Sequence, residues 1–537
     1  MSSLSALPDV QPARERVAID HPSDTATRYG VLAMMAIGLA FTAYSVWRDV
    51  DASGGQTGSI LVYLLLGVAL VIALGFEFVN GFHDTANAVA TVIYTHSLIP
   101  NYAVVWSGFW NFLGVLTSTG AVAFGVISLL PVELILQVSS HAGFAMVFAL
   151  LIAAIIWNLA TWWFGLPASS SHTLIGSIIG VGVTNALLNG RTGTSGVDWG
   201  QATTIGEALL ISPVVGFLFS GALLLILKYL VRKPELYAEP KPHSVPPLWV
   251  RGLLIFTCTG VSFAHGSNDG QKGMGLIMLI LIGTVPTTYA LNRAVPNDFI
   301  PQFEQSSAAA SKIIDAKAAG YAITGDPRPA VTAFVRDKQL TDGVYPSLAA
   351  LVSDIANGVK GYGSLASVPP SQVNNTRNDM YLVSEALRNL PKMQDNQLSA
   401  DEAKTLAKYK SSLDTSTKFI PIWVKVVVAL ALGLGTMIGW KRIVVTVGEK
   451  IGKTHLNYGQ GASAELVAMG TIMAADQFGL PVSTTHVLSS GIAGTMAANG
   501  SGVQMETIRN ILMAWVLTLP CAIVLSGTLY LIFSHIF

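Results

Sequence analysis

The stretch Gly165-Leu166-Pro167-Ala168-Ser169-Ser170-Ser171-His172 returns 314 residues later as Gly479-Leu480-Pro481-Val482-Ser483-Thr484-Thr485-His486. A weaker match, at an offset of 185, pairs Phe78-Val79-Asn80-Gly81-Phe82-His83-Asp84 with Phe263-Ala264-His265-Gly266-Ser267-Asn268-Asp269. The two offsets differ by 129 residues, close to the 127 residues of 293–419. That segment also differs in composition. Of the 31 Lys/Arg and 31 Asp/Glu in the 537-residue chain, 27 lie in 293–419 and 7 in 1–29, leaving 28 for the other 381 residues. The chain therefore reads as an internal duplication with a charged insertion in its second copy.

Outside the insertion the chain is too apolar for an ordinary soluble enzyme. Even the whole chain is 51% hydrophobic and 12% charged, where soluble proteins have about 25% charged residues, and its mean hydropathy is +0.54. Apolar stretches near the roughly 20 residues needed to cross about 30 Å of hydrocarbon occur at 30–47, 102–130, 143–165, 170–190, 205–231, 420–440, 461–478, 484–500 and 507–533. Two longer runs, 58–97 and 252–292, are interrupted by the polar clusters Asn80 to Asn87 and His265 to Lys272. Each is predicted to be a broken or re-entrant helix, because irregular backbone at that depth survives only where it is buried or lines a cavity. The formal net charge is zero, and no basic run supplies the footprint of nucleic-acid binding. Cys258 and Cys521 sit in apolar segments and imply no disulfide framework.

Cytoplasmic loops retain Lys and Arg. Arg14, Arg16 and Arg28 place the N-terminus inside, as do the basic residues of 228–251 and 441–453 for those loops. Eleven crossings satisfy these constraints. The predicted organisation is a disordered cytoplasmic tail (1–29), an extra transmembrane helix and loop (30–57), repeat 1 (58–231), a cytoplasmic linker (232–251), repeat 2 (252–292 and 420–537) and a periplasmic helical insertion (293–419). The fold class is all-α and polytopic. Five crossings per copy is odd, so the copies must be inverted, which is the architecture of secondary transporters with alternating access. A single-function channel or receptor built by duplication is the competing reading, although channels more often repeat by oligomerising around a pore.

Carboxylates at membrane depth need a partner or a cation. Asn80, Asp84 and Asn87 share a helical face and offer the oxygen ligands of a hard cation. Copy two offers Asn268 and Asp269, with Lys272 where copy one has Asn87. The Lys272 ammonium either stands in for a monovalent cation or simply ties Asp269 to its helix. Pro167 and Pro481 bar continuation of a preceding helix, and the hydroxyl runs Ser169, Ser170, Ser171 and Ser483, Thr484, Thr485 can cap new ones. Two such helix starts, facing each other, form cradles for a small tetrahedral oxyanion. His172 and His486 are candidates to donate to it or carry a proton, with hydrogen-bonded packing as the alternative. Glu77, Glu465 and Asp476 are further carboxylates at membrane depth, proton carriers or satisfied buried acids. The Ser, His and Asp content also allows an intramembrane hydrolase, but a triad needs one nucleophile and one base, whereas these sets occur twice.

At these residues the sequence resembles the inorganic phosphate transporter (PiT) family, whose signatures have the form Gly-x-Asn/His-Asp-x-x-Asn-Ala. They stand here as Gly81-Phe82-His83-Asp84-Thr85-Ala86-Asn87-Ala88 and Gly266-Ser267-Asn268-Asp269-Gly270-Gln271-Lys272-Gly273. The resemblance implies a multi-pass inner-membrane protein that is not an enzyme and imports inorganic phosphate by cation symport, with sites at both Asp residues and both hydroxyl runs. His83 and Lys272 replace Asn residues of the sodium-coupled pattern. This looks like the bacterial low-affinity branch, which uses protons and accepts phosphate complexed with a divalent metal. Sodium coupling is the alternative. No resident metal or cofactor is expected; the partners are phosphate, the lipid bilayer and, in an oligomer, a further copy of the chain. The Ala/Lys/Asp-rich insertion reads as helical and carries no ligand-spaced His or Cys.

Overall fold

The computed structural model describes residues 25–53, 59–84, 86–130, 132–136, 140–241, 244–296, 298–318, 323, 325–393 and 395–536; the side chains of 25–28, 86, 87, 133, 141 and 194 fall outside that description. Among the described residues every regular element is helical, and an isolated bridge joins Gly452 to Val503. Among the described residues seven helices are long and apolar enough to cross a membrane: Tyr29–Ala52, Ile60–Tyr94, Ala142–Trp163, Ser170–Leu188, Trp199–Leu230, Leu248–Thr284 and Met505–Phe533. Two bent pairs, Pro100–Thr117 with Ala121–Ile127 (77°) and Ala400–Thr417 with Ile422–Thr436 (74°), raise the number to nine. The protein is a multi-pass membrane protein. Leu61, Leu64, Leu210, Phe219, Val516 and Val524 lie exposed on its flanks, and lipid is the medium that suits so apolar a surface.

Two of the eleven expected crossings do not qualify on length and composition. They form the helices Tyr458–Gln477 and Thr484–Asn499. The second, at 16 residues, rises about 24 Å, short of the hydrocarbon thickness. Both carry polar and small residues that face other helices, since Gln460, Ser463, Glu465, Thr484, Thr485 and His486 are buried.

The expectation of a broken helix over 252–292 is wrong. Leu248–Thr284 runs unbroken for 37 residues through the polar cluster. Its Gly, Ser, Asn and Asp residues are poor helix formers in isolation, but neighbouring helices meet their side chains. His265 Nδ1 lies 2.7 Å from Asn111 Oδ1, Ser267 donates to Asp476 at 2.7 Å, and Gln271 donates to Asp476 and accepts from the Val122 amide. Tertiary contacts thus replace the break. The corresponding run in copy one comprises Ile60–Asp84 and Ala86–Tyr94.

The two copies pack reciprocally. Ile60–Asp84 lies on Ile422–Thr436 as Leu248–Thr284 lies on Pro100–Thr117, and Ser170–Leu188 lies on Met505–Phe533 as Thr484–Asn499 lies on Trp199–Leu230. The glycines of the two signature motifs sit at matching crossings. A Cβ on Gly81 would strike the Leu432 carbonyl oxygen, and one on Gly266 would strike the Asn111 carbonyl oxygen. Backbones approach there because hydrogen is the largest group that fits.

The insertion consists of the helices Phe299–Ala318, Arg328–Asp337, Val344–Tyr362, Pro370–Asn389 and Ala400–Thr417. The last starts at a capping box, Ser399 with Glu402. The insertion rests on one end of the membrane helices. Arg388 and Lys338 bind Asp198, which caps Trp199–Leu230, while Arg377 and Asn378 donate to the carbonyls of Ile135 and Leu136.

Candidate substrate and ion site

The duplicated element builds the site by local rules. The helix His141–Trp163 ends at Gly165 (φ +67°), and Tyr458–Gln477 ends at Gly479 (φ +64°). In each, the glycine amide and the following leucine amide return to the last turn: Gly165 to Trp162 O and Leu166 to Thr161 O, Gly479 to Asp476 O and Leu480 to Ala475 O. Glycine tolerates this left-handed stop and proline prevents resumption. A new helix then starts on a serine cap, Ser169 accepting from the His172 amide (3.2 Å) and Ser483 from the His486 amide (3.1 Å).

The two helix starts meet. The His172 and His486 rings are 4.6 Å apart between centroids, and Ser171 donates to the carbonyl of Val482. His486 stacks on Trp515 at 3.9 Å, and the Trp515 indole N–H binds Pro167 O. The hydroxyl residues bridge the two motif carboxylates. Ser170 donates to Asp84 Oδ2 and stands 3.3 Å from Asp269 Oδ2, while Thr485 donates to Asp84 Oδ1 at 2.6 Å. His83 Nδ1 lies 3.1 Å from Asp84 Oδ1, and its Nε2 lies 3.1 Å from Thr161 Oγ1. Lys272 places its ammonium 2.8 Å from Asp269 Oδ1 and within hydrogen-bonding distance of Ser171 Oγ. All of these side chains are buried except those of His172 and Trp515, which are partly exposed.

Of the predicted residues, the structure brings Asp84, Asp269, Lys272, His83, Ser170, Ser171 and Thr485 into one cluster, with Ser169 and Ser483 as caps and His172 and His486 beside it. Thr484 shares a small cavity with Asp84, Asn111 and His265. Others lie apart. Asn268 ties the helix to the Leu480 carbonyl and the Val482 amide. Glu465 accepts from Thr257, and Asp476 accepts from Ser267 and Gln271. The Asn87 side chain lies outside the described residues, so the expected Asn80–Asp84–Asn87 face is described only at its first two members.

His265 belongs to the site and was not among the predicted residues. Its Nε2 is 3.6 Å from Asp269 Oδ2, and Asp84, His265 and Asp269 each offer a ligand atom within 4.8 Å of the others. The i, i+4 spacing to Asp269 was a usable signal, but only on an unbroken helix. Chemically the cluster combines oxygen and nitrogen ligands for a cation with hydroxyl and helix-start N–H donors for an anion.

Residues 80–526 match the model of the phosphate transporter family PHO4. The chain belongs to this family. It is 42% identical over 488 residues to the low-affinity inorganic phosphate transporter PitA of Escherichia coli (strain K12), covering 87% of this chain and 96% of that protein. PitB of the same strain is 42% identical over 494 residues, with the same coverage. A probable low-affinity inorganic phosphate transporter of Bacillus subtilis (strain 168) is 28% identical over 478 residues, covering 89% of this chain and 99% of that one. A solved sodium-dependent phosphate transporter superposes with a TM-score of 0.48 at 21% identity, over 88% of this chain and all of that one.

Proposed function

We propose that this family member imports inorganic phosphate across a bacterial inner membrane by proton symport, as free phosphate or as a neutral complex with a divalent metal. The observation that carries the reading is the single cluster in which both motif carboxylates meet both hydroxyl runs. Phosphate suits the two facing helix starts, whose N–H groups and hydroxyls favour a tetrahedral anion. The hydroxyls of Ser170 and Thr485 donate to Asp84 in this conformation, so the anion's arrival requires that they turn from carboxylate to phosphate. A cation held by Asp84, His265 and Asp269 would favour that exchange by offsetting the carboxylates' charge, which is why a metal phosphate is a suitable cargo. Lys272 supports proton rather than sodium coupling, because its ammonium already stands against Asp269. The reciprocal packing of the copies supports inverted repeats that open the cluster alternately to either side, with the insertion outside.

Purified protein in vesicles tests this. Accumulation of labelled phosphate should follow an imposed inward pH gradient. Drive by sodium instead would replace the coupling ion, and no accumulation under either gradient would overturn transport as proposed. The inverted arrangement has its own check. With Cys258 and Cys521 replaced, single cysteines at Glu235 and Ser411, both exposed, should label from inside and outside respectively; labelling from one side would refute it.

A further inference from the structure

Glu77, Asn80 and Asn158 are completely buried; Glu77 lies against Asn80 and the Gly273 backbone, and none of the three side chains makes a well-formed hydrogen bond to any other group. Orphans of this kind are costly in isolation, and three residues in one place call for a ligand. Helix direction brings them together. Ile60–Asp84 follows Asp49 and Ser53, which bind Tyr289 and Thr288 at the root of the insertion. His141–Trp163 follows Ile135 and Leu136, whose carbonyls bind the insertion. Both helices therefore start on the same side, and they meet at His83 and Thr161. Three residues back from that contact on each helix are Asn80 and Asn158, and Glu77 is one step further along the face of Asn80. From the third side comes Gly273 of Leu248–Thr284. A Cβ there would collide with the Glu77 carboxylate, so the carboxylate lies against bare backbone.

The matched positions of the second copy are filled differently. The residues equivalent to Glu77 and Asn80 are Ser262 and His265, which pair with Ser107 at 2.8 Å and Asn111 at 2.7 Å. The residue equivalent to Asn158 is Ile472, fully buried. At these matched positions, a carboxyl and two amides without outside partners thus occur in copy one and not in copy two.

We propose that Glu77, Asn80 and Asn158 form a cation station separate from the Asp84–Asp269 cluster, which takes up one monovalent positive charge, a proton or an alkali-metal ion, in each transport cycle. A carboxylate and two amide oxygens make a hard-cation site; the same amides can equally accept a hydrogen bond from a protonated carboxyl. The charged groups facing Glu77 are Asp269 and Lys272 from Leu248–Thr284. His141–Trp163 offers no titratable residue beyond His141, Ile422–Thr436 offers Lys425, held by Ser118 O, and Ser170–Leu188 offers His172. Loading of the station is felt next door, since Gly273 adjoins Lys272, which links Asp269 to Ser171.

The inference rests on the cation-coupled transport proposed above. Its test uses the full chain in vesicles, comparing uphill accumulation of labelled phosphate with exchange at equal phosphate inside and outside. Glu77→Gln should keep exchange within about twofold of wild type while accumulation falls at least about tenfold; retained exchange also shows that the variant folds. Asn158→Leu should shift the same ratio in the same direction. Wild-type drive by a pH gradient or by a sodium gradient identifies the charge as a proton or an alkali-metal ion. Normal accumulation by Glu77→Gln, with wild type coupled, overturns this inference alone. Loss of exchange together with accumulation overturns the station's separateness, and wild type without cation-driven accumulation overturns both this inference and the coupling it rests on.

Discussion

The two copies of the repeat share a scaffold and differ in chemistry. Asp84 of copy one receives the hydroxyls of Ser170 and Thr485 and faces His83. Asp269 of copy two carries an internal cation, Lys272, and faces His265. Backbone features recur in both: the left-handed glycine stop, the serine cap and the glycine at the helix crossing. The motif carboxylate recurs as well, but the charge that answers it does not. A duplicated fold therefore leaves each half free to hold charge in its own way, and one bound ion in copy one can be answered by a fixed ammonium in copy two.

The strongest way to break this comparison is to remove each charge in turn. Asp84→Asn removes the negative charge that the proposed cation needs and leaves one acceptor oxygen where Ser170 and Thr485 now meet two, so phosphate uptake should fall by about two orders of magnitude or more. Asp269→Asn should be comparably inactive in vesicles while still inserting into the membrane. If either variant transports at the wild-type rate, that carboxylate has no part in the site.

Copy two offers the next largest effect. Lys272→Met leaves Asp269 buried without its partner, a change that costs about 3–5 kcal/mol and should lower the melting temperature in detergent. The double change Lys272→Met with Asp269→Asn should recover most of that stability without recovering transport. Lys272→Asn places an amide three residues after Asp269, as in copy one, and should either abolish uptake or make it respond to sodium. Unchanged proton-driven uptake would reduce Lys272 to a structural tie.

These effects also explain how much was legible from the amino acids. The glycine-proline-serine element is governed by contacts within a few residues, so its proline stops and hydroxyl caps follow from the sequence. The run His265 to Lys272 misled because its local preference is against helix, while its stability comes from Asn111, Asp476 and Val122, residues distant in sequence. His265 was missed for the same reason, its relation to Asp269 existing only if the helix continues. That Ser171 of copy one would meet Lys272 of copy two is a consequence of packing between the copies, for which spacing along the chain holds no signal. The repeat showed that two halves exist, and the crossings at Gly81 and Gly266 show how they interlock.

Those crossings test whether the scaffold is symmetric in energy as well as in form. Gly81→Ala and Gly266→Ala each push a methyl group into a backbone carbonyl that cannot rotate away, so each should cost about 1–3 kcal/mol. Equal losses in thermal stability would mark equivalent joints. A large loss in one and none in the other would show that a single copy bears the packing.

The smallest effect concerns the feature that copy one lacks altogether, the insertion. Its grip on the membrane helices centres on Asp198, whose carboxylate is 2.8 Å from Arg388 and 3.3 Å from Lys338. Burial alone would raise the Asp198 pKa, but Lys338 and Arg388 together hold it below the ordinary carboxylate range. The sign follows from linkage: a carboxyl depressed on folding contributes stability above its unfolded value, about 3.9, and loses it as pH falls through the folded value. Asp198→Asn should therefore loosen the insertion by about 1–2 kcal/mol at neutral pH, a modest figure because Arg388 and Lys338 remain partly solvated. Hydrogen exchange in Pro370–Asn389 would report it. Wild type should protect that helix evenly from pH 5 to 8, and its advantage over Asp198→Asn should vanish only as the solution becomes more acidic than about pH 4. An advantage that instead disappears between pH 6 and 8 would place control of the docking on a different group.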